Sequence, residues 1–244
     1  MSKELKSGEK VKASKHDSQN TSSPETIGIK KQDRILVFCA HPDDEIFGVG
    51  GTIAKYTKEG IPVSAVIFTY GEQSNPLWQM KVAAKTRVKE SKNVASIIGY
   101  EDVTFFGLKE ENIADKIGKK KIIGRIRKLI LEKQPTKIFT HSGDDFHKVH
   151  RAVHKAVISI IEKMRYPCEI YTFCIWNPFA TFKKSAPRLI VDISTTYGDK
   201  INALKRFKSQ RMSYLSLIPL VYLGAVVNGF NYNMKYAEVF DRVR

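Results

Sequence analysis

The sequence contains little cysteine and no long uninterrupted apolar segment. Only Cys39, Cys168 and Cys174 occur in 244 residues. So small and odd a set excludes a disulfide-stabilised secreted fold and indicates a reducing compartment. The polar N-terminal region has no apolar segment of the kind found in secretory signals, so we expect a cytoplasmic protein. With 42% hydrophobic and 27% charged residues, the composition also excludes collagen-like and wholly disordered chains.

Acidic residues are scarce relative to basic ones. The chain has 41 Lys and Arg against 25 Asp and Glu, a net charge of +16, which attracts nucleic acids, anionic lipids or phosphorylated substrates. Nine basic residues lie between 116 and 137. Ile122, Ile126 and Ile130 recur there at helical spacing, which indicates that the lysines form the solvated face of a helix. Without RNA-binding or zinc-finger signatures, no nucleic-acid partner is expected; peripheral contact with an anionic membrane and homo-oligomerisation stay open.

One apolar segment, residues 214–230, is interrupted by Pro219 and Gly224. A membrane-spanning helix needs about 20 predominantly apolar residues, and this segment is shorter. We interpret it as part of the buried core or of an interface, with peripheral membrane contact as the alternative.

Apolar runs alternate with helical patterns along most of the chain. Residues 1–31 have almost no apolar side chains and are predicted to be a disordered tail, which leaves 32–244 as a single folded domain. Helical patterns cover 78–98 and 149–164. The predicted strands lie at 34–40, 62–69, 103–106, 136–140, 169–175, 188–193 and 237–240. This alternation predicts a Rossmann-like, doubly wound α/β fold with a mostly parallel sheet and helices on both faces.

The loop after the first predicted strand is rich in charge. Ligands of such sheets bind beyond the carboxyl ends of the strands, near the point where the strand order reverses. There, His41 stands next to Asp43, Asp44 and Glu45. Neighbouring carboxylates repel one another unless a cation lies between them. The loop therefore indicates a metal site, although Asp44 alone could be a simple helix cap.

A second group of histidines and aspartates follows the strand at 136–140. If that strand lies beside the first one, the two groups meet in space. Two histidines and one aspartate with open positions suit zinc or ferrous iron. His150 and His154 lie four residues apart and form an alternative ligand pair, although a lone histidine is more often structural. Arg87 and Glu90 lie one helical turn apart, where an intrahelical ion pair is the simplest interpretation.

Several short motifs in one order complete the pattern. They are A-H-P-D-D-E at 40–45, T-Y-G-E at 69–72, R-x-x-E at 87–90 and D-x-H-x-x-H-R-A-V at 145–153. With weaker matches further on, the chain resembles the PIG-L / LmbE-like family of metal-dependent N-acetylglucosaminyl deacetylases over about 35–240. The resemblance implies a zinc-dependent N-deacetylase, with Fe²⁺ as the alternative metal. The substrate would be a glycoconjugate, inositol lipid or oligosaccharide that contains N-acetylglucosamine.

The same resemblance assigns roles to individual residues. His41, Asp44 and His150 are the implied metal ligands. Asp43 is the implied general base, which takes a proton from the attacking water. His147, if protonated, would stabilise the oxyanion, and the predicted substrate-binding residues are Arg87 and Glu45.

Two departures and three alternatives accompany this prediction. Val149 stands where the family often has an aspartate that orients the catalytic histidine, unless Asp144 or Asp145 replaces it; Gly143 stands where a proline is common. Dinucleotide binding at 48–51 is disfavoured because the preceding carboxylates would repel phosphate. A hydrolase of another amide or ester, and a non-catalytic module that binds anions or membranes, remain as alternatives.

Overall fold

Seven strands form one mixed sheet in the computed structural model, which describes residues 33–72, 79–177 and 187–244. The strands are β1 (Ile35–Cys39), β2 (Val63–Thr69), β3 (Asp102–Leu108), β4 (Lys137–His141), β5 (Glu169–Phe173), β6 (Arg188–Asp192) and β7 (Ala237–Arg242). Their order is β3-β2-β1-β4-β5-β7-β6, with β1 to β5 parallel and β7 antiparallel to both of its neighbours. The predicted doubly wound, mostly parallel sheet is confirmed.

Helices cover both faces of the sheet, as predicted. They are α1 (Asp44–Lys58), α2 (Met80–Ile98), α3 (Ile113–Gly118), α4 (Lys120–Lys133), α5 (Lys148–Met164), α6 (Tyr197–Leu204) and α7 (Arg211–Asn231). The first, second, sixth and seventh share one hydrophobic core, and the third, fourth and fifth share the other. The predicted tail at 1–31 and the predicted helix start at Trp78 lie outside the described residues.

The apolar runs become buried strands because both faces of the sheet are covered. In β1, Ile35 and Val37 enter one core, whereas Leu36 and Phe38 enter the other. This alternation is what a strand with two buried faces requires. In α4, Ile122 and Ile126 are buried while Lys121, Arg125 and Lys128 are exposed. The basic segment is therefore the solvated face of a helix, as the sequence predicted.

Strand β1 lies directly beside β4, and this pairing positions the site. The two strands run parallel, with Ile35 opposite Lys137 and Phe38 opposite Thr140. The connections leave β1 toward β2 on one side and return to β4 on the other. The strand order therefore reverses between them, and the loops after β1 and β4 leave the sheet side by side.

Helix α1 bends close to the site. Val49 has non-helical angles (φ −132°, ψ 15°), and the glycines around it allow close packing. A Cβ on Gly48 would lie 2.2 Å from the ring of Phe173, and one on Gly51 would lie 2.7 Å from Ile193. Here the glycines let the helix approach neighbouring side chains; they do not form the turn that a dinucleotide site needs.

A buried ion pair spans this bend. Lys200 Nζ donates to the carbonyl oxygen of Phe47 at 2.8 Å and lies 2.6 Å from Glu238 Oε1. The Glu238 carboxylate accepts the N–H groups of Gly51 and Thr52 at 3.1 and 2.8 Å. The Lys200 ammonium thus satisfies a carbonyl oxygen of the helix before the bend, and the Glu238 carboxylate satisfies two N–H groups of the helix after it.

Helix α7 carries the apolar segment, and its exposure excludes the buried-core part of our interpretation, whereas the interface part is not tested. Tyr214–Asn231 is long and apolar enough to cross a membrane by length and composition, and only 22% of this stretch is buried. Leu217 and Ala225 pack against the body, whereas Leu215 and Phe230 are 71% and 82% exposed. The helix is therefore not a core helix, because only one of its faces packs against the part of the chain that the structure describes.

Candidate active site

The turn between β1 and α1 is a strained backbone held by hydrogen bonds. Asp43 has φ 122°, in the left-handed region that favours glycine. Its N–H donates to Glu45 Oε2 at 3.0 Å, and the N–H of His41 donates to Asp44 Oδ2 at 2.8 Å. The polar residues of the loop thus hold its shape as well as supplying side chains to the cavity.

Arg87 stabilises this turn by hydrogen bonds from its guanidinium group. Its Nη2 atom donates to the carbonyl of Pro42 at 2.8 Å and to Asp43 Oδ1 at 3.1 Å. Its Nη1 atom donates to the carbonyl of Gly71 at 3.0 Å. Gly71 has φ 62°, and a Cβ there would lie 2.0 Å from the guanidinium, so the loop after β2 needs glycine at this position. The intrahelical pair with Glu90 does not form, because Glu90 accepts the hydroxyl of Ser209 instead.

Three predicted ligands converge on one point. His41 Nδ1, Asp44 Oδ2 and His150 Nε2 form a triangle in which each of the three separations is 3.3 Å. A tetrahedral zinc ion with ligands about 2.0–2.1 Å away requires ligand separations of roughly 3.3–3.4 Å. The donor types and the size of the triangle therefore fit a small divalent metal, which these three residues would hold.

Each histidine of the triangle has an acidic residue on its other ring nitrogen. Asp145 Oδ2 lies 3.1 Å from His150 Nδ1, and Glu110 Oε1 lies 3.3 Å from His41 Nε2. Carboxylates in these positions orient metal-bound imidazoles and fix their tautomers. Asp145 is held in turn by the backbone N–H groups of His147 and Ile175, both at 2.9 Å.

The charged groups in and around the triangle favour a cation at its centre. Burial opposes charge on His150, yet Asp44 and Asp145 raise its pKa to about 10. Burial likewise opposes charge on Asp44, but His150, His41 and His141 hold the pKa of that carboxyl well below its usual range. The site stabilises positive charge at this point, and a divalent ion can supply it in place of protons on the histidines.

Asp43 and His147 flank the triangle. Burial raises the pKa of Asp43 to about 6, with Arg87 opposing the rise. The His147 ring centroid lies 5.0 Å from that of His41 and 4.6 Å from that of His150. Burial, with the neighbouring histidines, lowers the pKa of His147 to about 4, so its ring is neutral at pH 7.

Two further histidines have structural contacts. His141 Nε2 accepts the N–H of Ala40 at 3.0 Å, and its ring stacks on His150 with centroids 3.8 Å apart. That hydrogen bond uses the lone pair that a metal would need, although the nitrogen also lies 3.2 Å from Asp44 Oδ2. His154 Nδ1 lies 2.8 Å from the carbonyl of His141, outside the triangle. The alternative His150–His154 ligand pair is therefore wrong.

A cavity of about 320 Å³ opens onto the triangle, within the range of small-molecule sites. Its walls contain Asp43 and His147, the candidate ligands His41 and Asp44, and residues from α2, α7 and the loops after β3 and β5. They are His41, Asp43, Asp44, Phe47, Arg87, Glu110, His147, Ile175, Trp176, Gln210 and Leu217. Glu45 is absent from these walls; its carboxyl is buried against the Asp43 N–H and the Ser91 hydroxyl, and burial raises its pKa to about 8.

Comparison with known families places this site in context. Residues 36–161, just over half of the chain, match the family model described as PIG-L: GlcNAc-PI de-N-acetylase. The chain belongs to the PIG-L family. As a PIG-L family member, it is a hydrolase that acts on amide C–N bonds.

Similar proteins agree on the fold and include several deacetylases. A probable N-acetyl-alpha-D-glucosaminyl L-malate deacetylase 2 of Bacillus cereus is 27% identical over 192 residues, which cover 74% of this chain and 85% of that protein. The N,N'-diacetylchitobiose deacetylase of Pyrococcus horikoshii has a TM-score of 0.73 at 19% identity, over 87% and 84% of the two chains. The 4-carboxy-2-hydroxymuconate hydratase of Pseudomonas putida has a TM-score of 0.74 at 19% identity, over 87% and 97%. The shared fold alone therefore does not define the reaction.

Sequence reasoning missed two residues of this PIG-L site. Glu110 follows β3, in a loop that the fold rule marks as one to inspect, but a single glutamate carries no motif. Asp145 was considered only as a partner for the His147 ring; instead it accepts the His147 backbone N–H and contacts His150. The Nδ1 atom of His147 has no partner among the residues that the structure describes.

Proposed function

We propose that the chain is a zinc-dependent N-deacetylase that hydrolyses the acetamide of an N-acetylglucosamine-containing substrate. The observation that carries this proposal is the 3.3 Å triangle of His41, Asp44 and His150 beside the Asp43 carboxyl. A divalent metal held by these three residues supplies Lewis acidity, which lowers the pKa of a water toward neutrality and polarises an amide carbonyl. Fe²⁺ suits the same donor set and is the alternative metal.

Asp43 is the proposed general base. Its Oδ1 is held by Arg87, so we assign proton transfer to Oδ2. A pKa raised to about 6 by burial lies near the range in which a carboxylate accepts a proton efficiently at neutral pH. The carboxyl takes the proton of the attacking water and returns it to the nitrogen of the departing amine.

His147 is the proposed donor to the oxyanion that develops on the acetyl oxygen. Because its ring is neutral, it offers one N–H rather than a full positive charge. Val149 leaves its ring without the carboxylate partner that an aspartate there would supply. Loss of an oxyanion donor typically reduces kcat by about 10²–10³, so we expect His147→Ala to fall at the lower end of this range.

Arg87 and Glu45 take different parts in this proposal. Arg87 lines the cavity while it anchors the turn, so it can contact the sugar from a fixed position. Glu45 holds the N–H of Asp43 behind the cavity wall, so we assign it to positioning of the base instead of the predicted substrate contact. The ring of Trp176, 37% exposed at the cavity, offers a flat apolar surface for the face of a sugar ring.

The first experiment measures metal content and acetate release on the purified full chain. Zinc or Fe²⁺ is added back after chelation. The panel contains N-acetylglucosaminyl malate, N-acetylglucosaminyl inositol, its phosphatidylinositol form, diacetylchitobiose and a simple N-acetylated alkylamine. We expect about one metal ion per chain, and chelator-sensitive acetate release from at least one of the sugars. Faster release from the alkylamine would favour a hydrolase of other amides, and no metal uptake would refute the proposed mechanism.

Replacement of the base gives a sharper test. Asp43→Asn keeps the shape of the side chain and should retain metal within about twofold, while kcat falls at least about a hundredfold, the lower part of the range for a general base. Asp199→Asn makes the same chemical change at a surface ion pair with Lys58 and should leave both quantities unchanged. Wild-type turnover in Asp43→Asn would remove Asp43 from the mechanism.

A further inference from the structure

Helix α7 presents an apolar face to the outside of the molecule. Six apolar residues recur at i, i+4, i+7, i+8, i+11 and i+15, which places them on one side of the helix. These residues, which we call the α7 face, are Leu215, Pro219, Tyr222, Leu223, Val226 and Phe230. Five are exposed and Val226 is partly buried. Monomeric soluble proteins rarely expose a contiguous apolar patch that runs along a whole helix of 21 residues.

The segment around this face carries no negative charge. Between Lys200 and Ala237 the sequence contains no aspartate or glutamate, and between 212 and 234 it contains no charged residue of either sign. Four exposed cations stand at the start of the helix: Lys205, Arg206 and Lys208 precede it, and Arg211 is its first residue. Lys235 follows the helix. We call the four cations the basic flank.

This combination is typical of helices that lie on a membrane surface. Such helices bury an apolar face at the level of the lipid headgroups while adjacent lysines and arginines attract anionic lipids. We propose that the α7 face and the basic flank together form a docking surface for an anionic lipid bilayer, with α7 lying in the plane of the membrane.

The packing of α7 favours this orientation over a helix that spans the bilayer. Its inner face contributes Leu217 to the core and buries Ala225 and Asn228. The Tyr214 ring lies 6.3 Å from that of Phe47, beside the bend in α1. Insertion across a membrane would strip these contacts from the body, whereas docking in the plane leaves them intact.

Charge complementarity selects the bilayer over a second copy of the chain. In a symmetric dimer the same patch meets itself. A parallel pairing of two α7 helices would bring one basic flank against the other, and an antiparallel pairing would bring the flank against Lys235. The acid-free segment offers no carboxylate to offset either contact. An anionic lipid surface satisfies the apolar face and the cations together.

Docking would also orient the cavity. Leu217 and Gln210, at the beginning of α7, line the cavity above the His41–Asp44–His150 triangle. A membrane against the outer face of this helix therefore lies next to the wall of the active site. The docking surface itself does not depend on the proposed deacetylase activity.

Vesicle flotation of the full chain tests the proposal. The probes are vesicles of phosphatidylcholine alone and of phosphatidylcholine with about 30% phosphatidylserine, each at low and high salt. We expect at least tenfold stronger partition onto the anionic vesicles, and a marked loss of partition at high salt. No partition onto either vesicle would refute the docking surface.

Matched variants separate the α7 face from general effects of charge. Leu215→Glu/Phe230→Glu should reduce partition at least tenfold, whereas Leu131→Glu, which alters an exposed apolar residue on α4, should not. Charge reversal of Lys205 and Lys208 should weaken partition more than reversal of Lys120 and Lys121, although the net charge changes equally. Unchanged thermal unfolding shows that each variant is folded. Equal partition of all variants would overturn the proposal.

Sedimentation of the same proteins measures their oligomeric state and so tests whether a second copy of the chain covers the α7 face. A stable dimer that Leu215→Glu/Phe230→Glu converts to a monomer, with no partition of the wild type onto vesicles, would assign the α7 face to a second copy of the chain and overturn the membrane proposal. Amide hydrolysis of a soluble substrate should be the same in all these variants. Failure of the proposed activity would therefore appear separately from failure of docking.

Discussion

Asp145→Asn is expected to weaken metal binding without removing a ligand. The carboxyl of Asp145 is buried, with Oδ2 3.1 Å from His150 Nδ1 and 2.9 Å from the backbone nitrogen of Ile175. Its Oδ1 accepts the N–H of His147 at 2.9 Å. Every group around the carboxyl is therefore a donor. An asparagine must turn its NH₂ group toward one of them, so at least one hydrogen bond is lost along with the negative charge.

The size of the effect follows from these contacts. Loss of an outer partner of a metal-bound histidine typically weakens metal affinity by about 10- to 100-fold, or about 1.4–2.7 kcal/mol. A buried donor without a partner adds about 1–3 kcal/mol of lost folding stability. Burial alone would raise the pKa of Asp145, but contact with His150 holds that pKa below its usual value. The wild-type carboxyl is therefore charged at neutral pH, and the substitution removes this charge.

Competition with a chelator of known affinity measures the change. Zinc is titrated into wild type, Asp145→Asn and the neighbouring control Asp144→Asn, and urea unfolding is followed in the metal-free proteins. Asp144 is exposed, so the Asp144→Asn protein should bind zinc with the affinity of the wild type. If Asp145→Asn binds zinc within twofold of the wild type while His150→Ala loses it, the proposed support of the ligand by Asp145 is refuted.

Two further changes concern stability, each with a matched control. Gly71→Ala should lower the free energy of unfolding by about 2–4 kcal/mol, because φ 62° and contact with a buried guanidinium are both unfavourable. At Gly60, φ is 75° and an added Cβ would meet no described residue within 4 Å beyond its chain neighbours, so Gly60→Ala should lose only about 1–2 kcal/mol in the same urea titration; equal losses would exclude the steric contact. Lys200→Met should lower the free energy of unfolding by about 3–5 kcal/mol, because the Glu238 carboxylate stays buried without its cationic partner. Lys58→Met breaks a largely exposed pair and should change stability by less than about 1 kcal/mol; similar losses in both lysine variants would refute a structural role for the buried pair.

The sequence was sufficient for the elements that carry a repeating signal. The strands at β1, β2 and β4 agree with the predicted segments to within one residue at each end, because strands buried on both faces consist of nearly continuous apolar residues. The meeting of the loops after β1 and β4 follows from the reversal of strand order. The meeting of the two groups of histidines and aspartates could therefore be anticipated from topology, whereas the choice of His41, Asp44 and His150 followed from the family resemblance.

Contacts between distant single residues could not be predicted in this way. Arg87 and Glu90 suggested a pair within α2, yet each bonds to a different part of the chain because the two side chains leave the helix toward separate neighbours. Glu110 acts on His41 only because β3 ends near the site. In α7, apolar composition could not distinguish a core helix from one with a free face, since both require the same residue types.

The place of β7 in the sheet has a consequence for the order of synthesis. β6 pairs only with β7 in the described sheet, and β7 is made more than forty residues later. During translation β6 therefore waits without a partner, while the parallel strands from β1 to β5 can already assemble. Glu238 in β7 also holds the helix after the bend in α1. Helix α1, which begins at Asp44 directly after Asp43, thus receives its final support from the last strand to leave the ribosome. We therefore expect the proposed hydrolytic activity to arise only after that strand has entered the sheet.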